Sequence, residues 1–132
     1  MKKIAHGGFE IDEWDEKPAG ITVGPKVTRA SVTQTFTGDI KGSGTTEYVM
    51  AYRADKTADY SGVQVISGTL GIRKGSFALL VRGTYDGKEA VTKWEVVPGT
   101  GKGGLKGLTG KGEFGAPMGS KGKYKLTYEL PD

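Results

Sequence analysis

The stretch GSFALLVRGTYDGKEAVTKWEVV, residues 75–97, decides the fold class because it reads as two strands joined by a tight turn. Apolar residues alternate with polar ones on both sides of Asp86 and Gly87, a pair that strongly favours a two-residue hairpin turn. Because strand side chains point alternately to opposite faces, one face of this hairpin is expected to be buried. The residues expected to point inward are Phe77, Leu79, Val81, Gly83 and Tyr85 before the turn and Ala90, Thr92, Trp94 and Val96 after it.

Outward from this hairpin, the same alternation continues along nearly the whole chain, and helical periodicity is almost absent. Eight antiparallel strands with short turns are typical of an up-and-down barrel, which has no free edges and can enclose one small ligand. We therefore expect an all-β protein in which residues 1–132 form a single eight-stranded antiparallel β-barrel domain. The predicted strands cover residues 4–14, 26–39, 44–53, 59–70, 75–85, 88–97, 109–116 and 122–130.

Composition narrows the classes of protein and partner. The 132 residues include no cysteine, which excludes disulfides, thiolate chemistry and cysteine-ligated zinc and fits a reducing compartment. The first ten residues, MKKIAHGGFE, lack the apolar run of a signal peptide, and no segment approaches the length of a membrane span. We expect a soluble cytoplasmic protein without a membrane partner.

The net charge of +4 comes from 19 basic and 15 acidic residues, and the basic excess lies largely after residue 101. Nucleic-acid-binding proteins usually combine such charge with aromatic side chains, but residues 99–112 contain no aromatic residue. The lysines there are interpreted as solvated, and no nucleic-acid partner is expected.

The glycine-rich segment VVPGTGKGGLKGLTGKGEF, residues 96–114, is suggestive of a phosphate-binding loop. Gly99, Gly101 and Gly104 match the dinucleotide pattern, but neither the following helix nor the acidic residue about 20 positions later is present. We therefore expect no nucleotide binding. The segment is interpreted as a crossing between the sixth and seventh predicted strands, with Leu105 and Leu108 closing one end of the barrel.

The glycine-rich run also carries a resemblance. GTGKGGLKGLTGKGEF, residues 99–114, is similar to a stretch of allene oxide cyclases and dirigent proteins, and most of the chain resembles an uncharacterised bacterial family of small barrels placed beside them. The resemblance implies an eight-stranded, allene-oxide-cyclase-like (calycin-like) barrel that is often oligomeric and has no settled activity. The stretches that carry it are GFEIDEWDEKP (8–18), KVTRASVTQTFTGDIKGSGTTEYVMAYR (26–53), GTLGIRKGSFAL (68–79), GTYDG (83–87) and WEVVPGTGKGGLKGLTGKGEF (94–114).

Candidates for metal or acid–base chemistry are few. His6 is the sole histidine and is interpreted as a strand-edge residue. The acidic cluster DEWDE, residues 12–16, lacks the regular ligand spacing of a calcium loop and is interpreted as a solvated strand end. No cofactor and no metal site are expected.

Alternation suggests an aromatic barrel interior with a few polar groups, which is the usual composition of a small-molecule site. In the third strand Tyr48 and Tyr52 oppose Val49, and which face points inward is open. In the first strand Glu10 and Trp14 are expected to share a face. Either these side chains line an open cavity or they fill the barrel completely. The candidate ligand-binding residues are Glu10, Trp14, Tyr48, Tyr52, Gln64 and Trp94.

Two classes of function follow. The first is a barrel that binds a small apolar molecule, with or without isomerase-like or cyclase-like activity based on confinement and electrostatics. The second is a non-enzymatic structural or interaction module with a filled core. In either class the resemblance to cyclase-type barrels implies association through the outer wall, where Ala78 and Leu80 lie on the outward face of the fifth predicted strand. A homo-oligomer, dimer or trimer, is therefore expected.

Overall fold

The structure, a computed structural model, describes residues 2–20, 26–117 and 121–131 of the chain. These residues form nine β-strands and no helix, so the described part contains no helical segment that could cross a membrane. The strands are β1 (Lys3–Pro18), β2 (Lys26–Gly38), β3 (Ile40–Tyr52), β4 (Ala58–Leu70), β5 (Arg73–Tyr85), β6 (Glu89–Val96), β7 (Lys102–Gly103), β8 (Thr109–Pro117) and β9 (Lys121–Glu129).

Eight of these strands form a closed antiparallel barrel in the order β1-β2-β3-β4-β5-β6-β8-β9, and β9 pairs with β1 to complete the ring. The short β7 lies outside the ring and pairs only with the start of β5. The predicted fold class is thus confirmed. Each of the eight strands pairs with two neighbours, so the ring has no edge strand.

The β5–β6 hairpin contains the predicted turn, displaced by one residue. Tyr85 pairs with Ala90, and the Asp86 N–H donates to the Glu89 carbonyl at 3.2 Å, so the two central residues are Gly87 and Lys88. The Asp86 carboxylate accepts hydrogen bonds from the backbone N–H groups of both residues 88 and 89 at 2.8 Å. This aspartate therefore flanks the turn, and Gly87, with φ of 97°, takes the first central position.

A β-bulge in β1 changes which residues face the interior. The pairing of β1 with β2 shifts between Ile11 and Glu13, and Asp12 at the shift accepts a hydrogen bond from Thr35 Oγ1 at 2.6 Å. One extra residue reverses the alternation beyond it. Trp14 therefore faces inward, whereas Glu10 faces outward.

The expectation that Glu10 and Trp14 share a face is wrong for this reason. Glu10 lies opposite the exposed Thr35 and forms an ion pair with Lys121 on the outer surface, at 3.4 Å. Trp14 lies opposite the buried Val32.

The half of the barrel where β1 begins is filled. Leu105 and Leu108, in the connection between β7 and β8, are buried at this end, as the sequence predicted. Further into the barrel, the centroid of the Trp94 ring lies 5.3 to 6.1 Å from the ring centroids of Phe36, Phe114 and Tyr124. These rings and the leucines leave the other half of the barrel as the place where a ligand could enter.

Candidate functional site

A cavity of about 240 Å³ occupies the half of the barrel where β1 and β3 end and β2 and β6 begin. An engineered apolar cavity of about 150 Å³ binds benzene, and pockets for drug-sized ligands begin at about 300 Å³. The cavity thus suits a molecule of one or two rings. Its lining consists of Phe9, Ile11, Trp14, Val32, Gln34, Tyr48, Met50, Tyr52, Tyr60, Tyr85, Ala90 and Phe114.

Three aromatic rings form a continuous wall. Trp14 stacks on Tyr48 with centroids 6.2 Å apart and an interplanar angle of 28°. Tyr48 in turn meets Tyr60 edge to face at 5.3 Å, and the Tyr60 hydroxyl lies 2.7 Å from Thr92 Oγ1. β3 places Tyr48 inward and leaves Val49 exposed, which decides the face that the sequence left open. Such rings offer a planar ligand both stacking and edge contacts.

At the mouth, the half-buried Glu16 carboxylate joins three strands. It accepts hydrogen bonds from Trp14 Nε1 at 2.9 Å, from Thr28 Oγ1 at 2.7 Å and from the Tyr52 hydroxyl at 2.6 Å. Burial alone would raise the pKa of Glu16, but these donors and the charge of Lys26 outweigh it, and the pKa is lowered. The interpretation of residues 12–16 as a solvated strand end is wrong for Glu16, because the bulge turns it inward.

The phenols of Tyr48, Tyr52 and Tyr60 stay protonated at neutral pH. Burial, together with the hydrogen bond to Glu16, raises the pKa of Tyr52 to about 12. Lys26 Nζ lies 4.5 Å above the Tyr52 ring. Burial likewise raises the pKa of Tyr48 and Tyr60. The site therefore combines neutral aromatic walls with an ionised carboxylate whose oxygens already hold three donors.

Gln34 lies at the inner end of the cavity and is only 3% exposed. Its Nε2 donates to Thr46 Oγ1 at 2.9 Å, but its Oε1 has no hydrogen-bond partner. Gly44, the partner of Gln34 across β2 and β3, lets the amide lie against the sheet, since a Cβ at residue 44 would be 2.8 Å from Oε1. A buried polar atom without a partner is rare in a folded protein.

The six predicted ligand-binding residues divide into three groups. Trp14, Tyr48 and Tyr52 line the cavity. Gln64 and Trp94 lie deeper in the filled half, where Trp94 Nε1 donates to Gln64 Oε1 at 2.9 Å, and both are buried. The remaining candidate, Glu10, is on the outer surface.

Sequence reasoning missed Gln34 and Glu16. Gln34 had a detectable signal, because it lies between Val32 and Phe36 on the same, inward face of β2. Glu16 had none, because its orientation depends on the bulge.

His6 is exposed, and no cluster of three acidic or histidine side chains that could hold a metal ion occurs among the described residues.

Comparison with known proteins gives a family and a fold. Residues 5–128 match the family described as "Protein of unknown function (DUF3224)". The crystal structure of a protein with unknown function from this family, from Shewanella oneidensis MR-1, is similar over 100% of both chains, with a TM-score of 0.85 and 24% sequence identity. No curated protein matches the chain. The structural likeness supports the barrel and carries no activity with it.

Proposed function

The chain belongs to the DUF3224 family of proteins of unknown function, and from this premise we propose that it binds a small, largely apolar molecule in the barrel cavity. One observation carries the proposal: the barrel is packed at one end and holds a cavity of about 240 Å³ with aromatic walls at the other. Small-molecule sites have this composition, with many apolar groups and a few polar ones.

Binding is better supported than acid–base catalysis. General acid–base groups work best with a pKa near the operating pH. The pKa of Glu16 is lowered and that of Tyr52 is raised, so both move away from neutrality. An isomerase-like or cyclase-like reaction in this cavity would instead rely on holding one ligand conformation. The likeness to allene oxide cyclases is an analogy of fold and adds nothing to this point.

The proposal is tested with indole as the probe, by calorimetric titration and by thermal unfolding. A ligand that binds only the folded state raises the free energy of unfolding by about 2.7 kcal/mol at 100 times its dissociation constant. Ala90 lines the cavity, so Ala90→Trp should fill it and weaken indole binding at least tenfold. Val91→Trp, on the neighbouring outward position of β6, is the matched control and should bind indole as the wild type does.

The outcomes decide whether the cavity is a binding site. Saturable indole binding that is lost in Ala90→Trp and kept in Val91→Trp supports the cavity as a binding site. Equal binding by both variants places the indole elsewhere and contradicts the proposal. A folded wild type that neither binds indole nor gains thermal stability with it also contradicts the proposal.

An oligomeric interaction module is the second candidate, because the outer wall carries an apolar patch. Val49, Val63, Val65 and Leu80, on β3, β4 and β5, are each 46 to 51% exposed, and Val63 pairs directly with Leu80. Contiguous exposed apolar surface often marks an interface. We propose a second copy of the chain as the partner, in a dimer or trimer.

A cytoplasmic location also stays a prediction, based on the absence of cysteine.

A further inference from the structure

Most polar side-chain atoms of the cavity lining are paired within the protein. The Trp14 indole N–H, the hydroxyls of Tyr52, Tyr60 and Tyr85, and the amide nitrogen of Gln34 each have a hydrogen-bond partner. Gln34 Oε1 is the buried side-chain oxygen or nitrogen without a partner among the described residues. The pairs are Trp14 and Tyr52 with Glu16, Tyr60 with Thr92, Tyr85 with the Gly87 carbonyl, and Gln34 Nε2 with Thr46.

The Gln34 amide lies with its nitrogen toward Thr46. Its Nε2 donates to Thr46 Oγ1 at 2.9 Å, and the carbonyl oxygen remains as the unused acceptor.

We propose that the natural ligand is a neutral one- or two-ring molecule whose N–H or O–H group donates a hydrogen bond to Gln34 Oε1 at the inner end of the cavity. This inference rests on the proposed function. The donor satisfies the buried Gln34 oxygen, and the rings pack between Trp14, Tyr48 and Tyr60. The buried part of the ligand is neutral, because a charge placed beside Gln34 at the inner end of the cavity would be buried without an ionic partner.

Three probes of nearly one shape test the inference: indole carries an N–H donor, benzofuran carries a ring oxygen acceptor, and indene carries neither. Each is titrated calorimetrically into the wild type, into Gln34→Met and into Thr33→Met. Methionine keeps the length of glutamine and removes the amide. Thr33→Met is the control, because it places the same side chain on the neighbouring outward position of β2, outside the cavity lining.

The expected result is that the wild type binds indole about tenfold more tightly than indene or benzofuran, since a good buried hydrogen bond is worth about one order of magnitude. In Gln34→Met this preference disappears while indene binding is kept. In Thr33→Met the preference persists. Thermal unfolding of each variant confirms that it is folded, and the ranking of the probes on the wild type tests the inference even if Gln34→Met does not fold.

Other outcomes overturn the inference. If indole and indene bind the wild type equally, the cavity binds ligands without using Gln34, and the proposed function stands alone. If the wild type prefers benzofuran, the free group is a donor and the predicted ligand chemistry is wrong. A preference for indole that survives in Gln34→Met assigns the hydrogen bond to another group. Failure of all three probes to bind the folded wild type contradicts the proposed function itself.

Discussion

Glu16 is a half-buried acid whose ionised carboxylate accepts three hydrogen bonds. The donors Trp14, Thr28 and Tyr52 stabilise its carboxylate and keep its pKa below the ordinary value even though burial acts in the opposite direction. In the unfolded chain Glu16 has the ordinary pKa of a glutamate. The stabilisation is therefore complete above that unfolded pKa and is lost as the pH falls through the lower folded pKa.

Glu16→Gln should lower the free energy of unfolding by about 1 kcal/mol at neutral pH, a value discounted for the partial exposure of the mouth. The difference from the wild type should shrink as the pH falls through the acid range and vanish where both states of the wild type are protonated. Urea unfolding at a series of pH values measures it. Glu13→Gln, the same change at an exposed acid on the outward face of the same strand, is the control and should leave the free energy of unfolding at neutral pH nearly unchanged. A difference that is constant with pH contradicts this explanation.

The two buried glutamines differ in what their amides do. Gln64 Oε1 accepts from Trp94 Nε1, so Gln64→Met leaves a buried indole N–H without an acceptor and should cost about 1–3 kcal/mol. Gln34 already has one unpaired atom, so Gln34→Met should cost less than about 1 kcal/mol. Chemical denaturation of both variants checks the order. An equal or reversed cost would show that the Gln34 amide is as well satisfied as that of Gln64.

Among the elements, β1 shows how one extra residue defines a site. Before the bulge Phe9 and Ile11 face the interior, and after it Trp14 and Glu16 do. In a regular strand the second pair would face solvent, and the mouth would lose its indole and its carboxylate. The open end of the barrel thus depends on a local irregularity held by the Asp12–Thr35 hydrogen bond.

β3 and β4 depend on close approach at Gly62. A Cβ at this residue would collide with the backbone carbonyl oxygen of Glu47, which no side-chain rotation can relieve. Gly62→Ala should therefore lower the free energy of unfolding by about 1–3 kcal/mol, as overpacking does. Gly20→Ala is the control, since a Cβ there would meet nothing within 4 Å and stability should barely change. Equal stability of the two variants, by thermal unfolding, would contradict the close approach.

At the scale of the whole molecule, the barrel divides into a filled half and an open half. Leucines 105 and 108 and the rings around Trp94 occupy one half, so their truncation should affect stability. The cavity occupies the other, where substitutions at the mouth should affect ligand binding. The barrel interior is thus filled in the half around Trp94 and open in the half that holds the cavity.

Assembly is predicted from the outer apolar patch. If two or three copies associate through it, the double variant Val63→Lys, Leu80→Lys should be monomeric while the wild type is not, because lysines desolvated in an interface are costly. Multi-angle light scattering at micromolar concentration measures the mass. Ile4→Lys, Val91→Lys adds the same charge at exposed positions outside the patch and should leave the oligomer intact. A monomeric wild type contradicts the prediction.

The amino-acid sequence alone determined the all-β class, the eight long strands, the inward face of the β5–β6 hairpin and the plug formed by Leu105 and Leu108. These features follow from alternation and turn residues, which act within a few positions along the chain. Half of the predicted ligand-binding residues, namely Trp14, Tyr48 and Tyr52, also line the cavity.

Only the tertiary structure decided the orientation of Glu10 and Glu16, the place of Trp94 beneath the cavity and the unpaired oxygen of Gln34. A bulge is defined by the strand opposite it, and whether a barrel is filled depends on the summed volumes of side chains from all its strands. Neither the bulge nor the filling of the barrel can be predicted from the residue pattern of one segment, because both arise when residues far apart in sequence meet in the closed barrel.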